Sequence, residues 1–278
     1  GVSSAASDVY KRQSIKKFLL ETPYSRLQES IQLSFSKLSD LTQFSKKVTI
    51  TSDFNNSIIG TQDLSFFIPA AAHWKSAVRA GGLLQGKLND LAIQQLSIGI
   101  GSGTYVQGNL TIKGLPNLEQ TSFELSVARS NINWEELHNL LSSQTKTDLS
   151  VGEALRYVRF NGKLLGSKSQ LKLTGNWQTR LGAAETALQL ELPQNAPLHY
   201  NGKLQLKQFK LGELIGVPAL EEVSFLGAVQ GSGWNDENSL ATFNGELQSA
   251  KFKNVDYRNV KWNGTLQHQT LSTTLSIQ

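Results

Sequence analysis

The sequence predicts an all-β fold: an elongated, curled antiparallel β-sheet of repeated hairpins, with one or two short helices. Three observations predict it. Apolar and polar residues alternate with period two along most of the chain. One seven-residue phrase, apolar–x–aromatic–x–Gly–x–aliphatic, occurs five times with its parity intact. The glycines of its last four copies, Gly202, Gly227, Gly245 and Gly264, lie 18 to 25 residues apart, which is the size of one hairpin. Short-period strand arrays form solenoids, long sheets or barrels rather than one globule.

Taken in chain order, the segment SSAASDVYKRQ at 3–13 reads as a non-native leader or a sequencing artefact. Residues 1–13 are therefore set outside the fold, and 14–278 is taken as one repeat region of a larger protein. FLLETPYSRLQESIQLSF at 18–35 suggests two irregular strands. Leu84-x-Gly86-x-Leu88 and Val106-x-Gly108-x-Leu110 are short relatives of the phrase, and GIGSG at 99–103 between them is a hairpin turn. TPY, GLPNL and QNAPL are further turns. NINWEELHNLL at 131–141 predicts a helix near 133–142, with Asn133 as N-cap, Glu136 three residues on, and Trp134, Leu137, Leu140 and Leu141 on one face. LGELIG at 211–216 has room for one helical turn. The alternating segments 171–177, 188–192 and 271–277 are half-buried strands, with Leu171, Leu173, Gly175 and Trp177, then Leu188, Leu190 and Leu192, then Leu271, Leu275 and Ile277 facing inward.

The five copies are Val158-x-Phe160-x-Gly162-x-Leu164, Leu198-x-Tyr200-x-Gly202-x-Leu204, Val223-x-Phe225-x-Gly227-x-Val229, Ala241-x-Phe243-x-Gly245-x-Leu247 and Val260-x-Trp262-x-Gly264-x-Leu266. Four of them contain Asn-Gly, the commonest signal of a two-residue hairpin turn. The third has Leu226-Gly227 at the same spacing and no Asn. A turn that dispenses with its turn residue is not a turn, so the phrase runs straight through a strand. The aliphatic residue, the ring, the glycine and the last aliphatic residue then share one face. Gly162, Gly202, Gly227, Gly245 and Gly264 would let the sheet curl and leave clearance beside each ring. On that reading Gly245→Trp should block the inner face without unfolding the array.

Composition narrows the function. The chain has 278 residues, 39 % of them apolar, with no Cys and no Met. No disulfide, thiolate metal site or Cys nucleophile is available. A net charge of +5 is spread singly along the strands rather than gathered in a patch, so no nucleic-acid partner is expected. The longest apolar run, FFIPAAA at 66–72, is far shorter than a membrane span. The four His are scattered, and the acidic neighbours Glu135-Glu136, Glu221-Glu222 and Asp236-Glu237 read as surface charges. No Walker, G-x-S-x-G or H-E-x-x-H pattern occurs, which points away from an enzyme, a metal or a cofactor. What remains is an apolar stripe. Either it is the closed core of a sandwich or it is the open floor of a groove, and periodicity alone does not choose.

The stretches YNGKLQLKQFKLGELIGVPALEEVSFLGAVQGSGW and FNGELQSAKFKNVDYRNVKWNGTLQHQTLSTTLSI, with LLQGKLNDLAIQQLSIGIGSGTYVQGNLTIKGLPNLEQTSFEL upstream, resemble the repeat region of TamB-like proteins of the AsmA superfamily. The likeness is to the large Bacteroidota type and covers roughly 48–278. The resemblance implies a β-taco whose hydrophobic groove carries phospholipid acyl chains across the periplasm, in a parent protein anchored in the inner membrane of a Gram-negative bacterium. It also implies an alternative, a scaffold for outer-membrane protein assembly or translocation with an outer-membrane β-barrel partner. The lining expected of such a groove is Val158, Phe160, Leu164, Tyr200, Leu204, Phe225, Val229, Phe243, Leu247, Val260, Trp262 and Leu266.

Overall fold

The computed structural model describes residues 11–21, 23–55, 57–60, 62, 77–141, 150–193, 196–233, 239–267 and 270–276. Alternation at period two produces strands throughout: β1 (Lys11–Glu21), β2 (Arg26–Phe35), β3 (Thr49–Asp53), β4 (Ser57–Gly60), β5 (Ala77–Lys87), β6 (Asp90–Ile100), β7 (Thr104–Lys113) and β8 (Ser122–Asn133). The second half continues with β9 (Tyr157–Ser167), β10 (Gln170–Thr179), β11 (Gly182–Glu191), β12 (His199–Phe209), β13 (Leu220–Ser232), β14 (Leu240–Phe252), β15 (Val255–Gln267) and β16 (Thr270–Ser276). They form one long, curled, open antiparallel sheet. Neighbours in sequence are neighbours in the sheet, except β4, which lies beside β2 and β5.

Because each strand reverses the last, the connections alternate between two rims. One rim carries the turns at 101–103, 180–181 and 253–254 together with three short helices: α2 (Trp134–Leu141), α3 (Ser150–Leu155) and α4 (Leu211–Ile215). The opposite rim carries α1 (Phe44–Lys47), preceded by a 3-10 turn at Leu38–Gln43 and tied to the β5–β6 turn by the Asn89 N–H donating to the Ser45 carbonyl at 3.1 Å. Among the described residues four short helices thus stand where one or two were expected. None is long and apolar enough to cross a membrane.

The expected helix is present, and Asn133 caps it, its Oδ1 accepting from the Glu136 N–H at 3.2 Å. Glu136 is no mere surface charge, because α2 lies beside the β6–β7 turn. Its Oε1 accepts from the Ser102 and Gly103 N–H groups, both at 2.8 Å. The Thr104 hydroxyl beside it, then those two N–H groups, outweigh desolvation and hold its carboxyl down at about 2. The turn at 114–118 contains a cis Leu115–Pro116 bond.

Two expected boundaries move. Residues 11–13 pair with β2 in register, Lys11 opposite Phe35 and Gln13 opposite Leu33, so the fold includes part of the segment set aside. Residues 1–10 lie outside the described residues, as do 66–72, His73, Asp236 and Glu237, His268 and Ile277. Strand β11 ends at Glu191, which leaves Leu192 beyond it and 40 % exposed rather than facing inward.

The phrase runs through strands in all five places, with only Leu198 of the second copy lying just before its strand. None of Asn161, Asn201, Asn244 and Asn263 has the positive φ a two-residue turn demands. The β14–β15 hairpin turns instead at Lys253-Asn254, with φ of 47° and 64°.

Candidate functional site

Pairing register turns the alternation into continuous rows along the sheet. One row reads Leu33, Ile50, Gly86, Leu91, Ile112, Phe123, Gly166, Leu171, Leu190, Tyr200, Gly231, Ala241, Leu266, each residue opposite the next on the neighbouring strand. It crosses from β2 to β15 with no charged residue and no polar group but the Tyr200 hydroxyl. At the usual strand spacing it is about 60 Å long. A second row, Leu84, Ile93, Leu110, Leu125, Leu164, Leu173, Leu188, Gly202, Val229, Phe243, Gly264, runs beside it from β5 to β15. Most of these side chains are half-buried. A closed sandwich core would bury them, and among the described residues there is no second sheet to do so.

The rows nearer the helical rim differ. Leu206, Phe225, Leu247 and Val260 stand opposite one another on successive strands, and all four are buried. They belong to a cluster with Leu181, Phe209, Val223, Ala250 and Trp262. Ala154 and Leu155 of α3 and Leu211 and Leu214 of α4 pack against that cluster. Arg180 in the β10–β11 turn ties both helices down, donating from Nε to the Ala154 carbonyl at 2.8 Å and from Nη2 to Glu213 at 2.9 Å. Phe225 meets Phe243 and Trp262 edge-on, while Phe243 and Trp262 stack at 5.8 Å and 3°.

The expected lining therefore divides. Phe160, Phe225, Val229, Leu247, Val260 and Trp262 are buried in the chain itself, Phe225 completely. Val158, Leu164, Tyr200, Leu204, Phe243 and Leu266 remain half-buried on the same face. Burial raises the Tyr200 hydroxyl above its usual range.

The glycines do not leave clearance. A Cβ on Gly162 would fall 2.2 Å from the Thr174 carbonyl oxygen and 2.7 Å from the Phe160 ring. One on Gly227 would fall 2.4 Å from the Asn244 oxygen and 2.5 Å from the Phe225 ring, and one on Gly245 would fall 2.3 Å from the Leu226 oxygen. Gly162 faces Gly175, and Gly227 faces Gly245, across adjacent strands. Phe160 thus lies over the first pair and Phe225 over the second, each filling the space above it, and Trp177 packs against Phe160 at 4.4 Å centroid separation. At Gly202 the obstacle is backbone alone, the Ala187 oxygen at 2.1 Å. At Gly264 it is only the Trp262 ring, at 3.1 to 3.2 Å. Gly245→Trp would therefore force β13 and β14 apart rather than leave the array folded.

Period two does not reveal how the indoles are kept in an apolar face. Trp177 Nε1 donates to Thr186 Oγ1 at 2.7 Å, and Trp262 Nε1 donates to Thr273 Oγ1 at 2.6 Å. In both cases the threonine stands opposite the glycine two residues from the tryptophan, Gly175 or Gly264. An inward Thr on the strand after a Trp was the available signal. Ser130 has a similar part at the β8–β9 bulge, accepting from the Phe160 N–H at 3.0 Å and donating to its carbonyl at 2.9 Å.

The outer face carries Lys, Glu, Asn, Gln and Thr. Its cross-strand ion pairs, Lys163–Glu124, Lys207–Glu185 and Lys251–Glu221, are exposed and worth little. It is not convex throughout. A cavity of 460 Å³ and another of 400 Å³ open over β12 to β16 and share Gln230, Thr242 and Asn244. Seven of the ten residues lining the larger one have outward parity. Among the described residues no group of His, Asp or Glu is placed to hold a metal.

No family model, curated protein or solved structure matches the chain.

Proposed function

We propose that this chain is a segment of a TamB-like bridge of the AsmA superfamily, and that its apolar face carries phospholipid acyl chains between the inner and outer membranes. The parent protein is then anchored in the inner membrane and crosses the periplasm. The observation that carries the reading is the row from Leu33 to Leu266: thirteen strands with no charged residue, on a face that no second sheet covers among the described residues. A large uncovered apolar surface marks a binding surface. Each methylene withdrawn from water there contributes about 0.8 kcal/mol. Successive strands offer much the same apolar floor, so a chain can move along the row with little change in burial. The path follows the two rows away from the helical rim, because the rim row is filled by Phe225, Leu247 and Val260.

The test is photo-crosslinking in cells that make the parent protein, with the reactive residue at Leu188 or, in a parallel strain, at Gln189. Leu188 is half-buried on the apolar face and Gln189 is exposed on the other. Phospholipid adducts at 188 and not at 189 are expected. Adducts at neither site, with the protein folded, would remove the conduit. Crosslinks to outer-membrane proteins would favour the assembly scaffold.

A further inference from the structure

The outer face of β12 to β16 holds a feature that the apolar face does not explain. Its two adjoining cavities share Gln230, Thr242 and Asn244, so they make one trough across the strands. No charged side chain lines it. Its polar groups are carboxamides and hydroxyls in two rows. Gln230, Thr242, Thr265 and Ser272 stand opposite one another in one, and Asn244, Asn263 and Thr274 in the other. Thr242 donates to the Gln230 carbonyl at 3.3 Å. The side chains of Gln230, Asn244, Asn263, Thr265 and Thr274 have no hydrogen-bond partner among the described residues. Carboxamides and hydroxyls each donate and accept.

From this we infer that the trough binds a neutral glycan. The lining carries no charge to neutralise that of a phosphate, a carboxylate or an amine, which favours a neutral ligand over an ionic one. A sugar ring presents adjacent hydroxyls that each donate and accept, matching a carboxamide beside a hydroxyl. The amide of Asn244 repeats on the next strand as Asn263, at a strand spacing of about 4.8 Å, close to the length of one pyranose residue in an extended chain. Ala228, opposite Asn244, keeps the floor low enough for a ring to approach. The inference is independent of lipid carriage, because these side chains point away from the apolar face.

The experiment titrates the full chain with cellohexaose, chitohexaose and maltohexaose by calorimetry, with heparin as the anionic comparison. Saturable binding of at least one neutral hexasaccharide is expected, weakened about tenfold or more in Asn244→Ala/Asn263→Ala. Both residues are exposed, so the variant should keep the wild-type circular dichroism and melting temperature. If that pair disturbs the sheet, Thr265→Val with Thr274→Val serves the same purpose. Failure of all three sugars to bind at millimolar concentration would overturn the inference. So would undiminished binding by a folded variant, or equal affinity for heparin.

Discussion

Gly245→Ala tests the packing that the recurring phrase encodes. A Cβ at this position would lie 2.3 Å from the Leu226 carbonyl oxygen, 2.6 Å from Gly227 Cα and 2.8 Å from the Phe225 ring, where ordinary contact begins at 3.4 Å. The two nearest atoms are backbone, so no rotamer change relieves them, and β13 must move by about an ångström. Overpacking of this kind costs about 1–3 kcal/mol. The loss of glycine's freedom in the unfolded chain returns about 0.5–1 kcal/mol. The net is a destabilisation of about 1 kcal/mol and at most about 2.5 kcal/mol, read as a melting temperature lower by about 2–5 °C. Gly264→Ala meets only the Trp262 ring at 3.1 Å or more and should be close to neutral, while Gly99→Ala meets nothing nearer than 3.8 Å and should stabilise. Thermal unfolding followed by tryptophan fluorescence, which reports Trp262 in the same cluster, measures all three. If Gly245→Ala melts at or above the wild-type temperature, the glycine pairs are not held by close strand approach and the reasoning fails.

Other predictions concern the polar ties. Thr186→Val leaves the Trp177 indole N–H without its acceptor and should cost about 1–3 kcal/mol, measured by chemical unfolding. The ionised Glu136 carboxylate is stabilised in the folded state at about 2 against 4.5 for the free group, so its contribution is complete above pH 4.5 and disappears as the pH falls toward 2. Glu136→Gln should therefore flatten the acid limb of the stability profile, and hydrogen exchange should quicken at Ser102 and Gly103. Arg180→Ala should loosen α3 and α4 by about 1–2 kcal/mol, while Glu213→Gln should cost less than about 1 kcal/mol, because that pair is partly exposed whereas the Ala154 carbonyl loses a charged donor. Hydrogen exchange over 150–155 and 211–216 separates the two.

What the sequence by itself determined is local. Backbone geometry sends alternate side chains to opposite faces, so the parity of Phe160, Gly162 and Leu164, or of Leu171, Leu173 and Trp177, can be read with no knowledge of neighbours. The same logic ran the Asn-Gly phrases through strands, and helix capping placed Asn133 because a cap acts within three residues. The tertiary structure decided everything that depends on which strand lies alongside. Register alone sets Gly162 opposite Gly175 and Gly227 opposite Gly245, and so makes each pair the floor under a single ring, Phe160 or Phe225, rather than an opening. Register also gathers residues from thirteen strands into one uncharged row, and brings Glu136 to a turn more than thirty residues earlier in the chain. The enclosure of Phe225 and Trp262 by α3 and α4, while Leu164 and Leu188 stay half-exposed, follows from which rim the connections fall on. Period two carries no information about that, because alternation distinguishes the faces of a strand and not its ends.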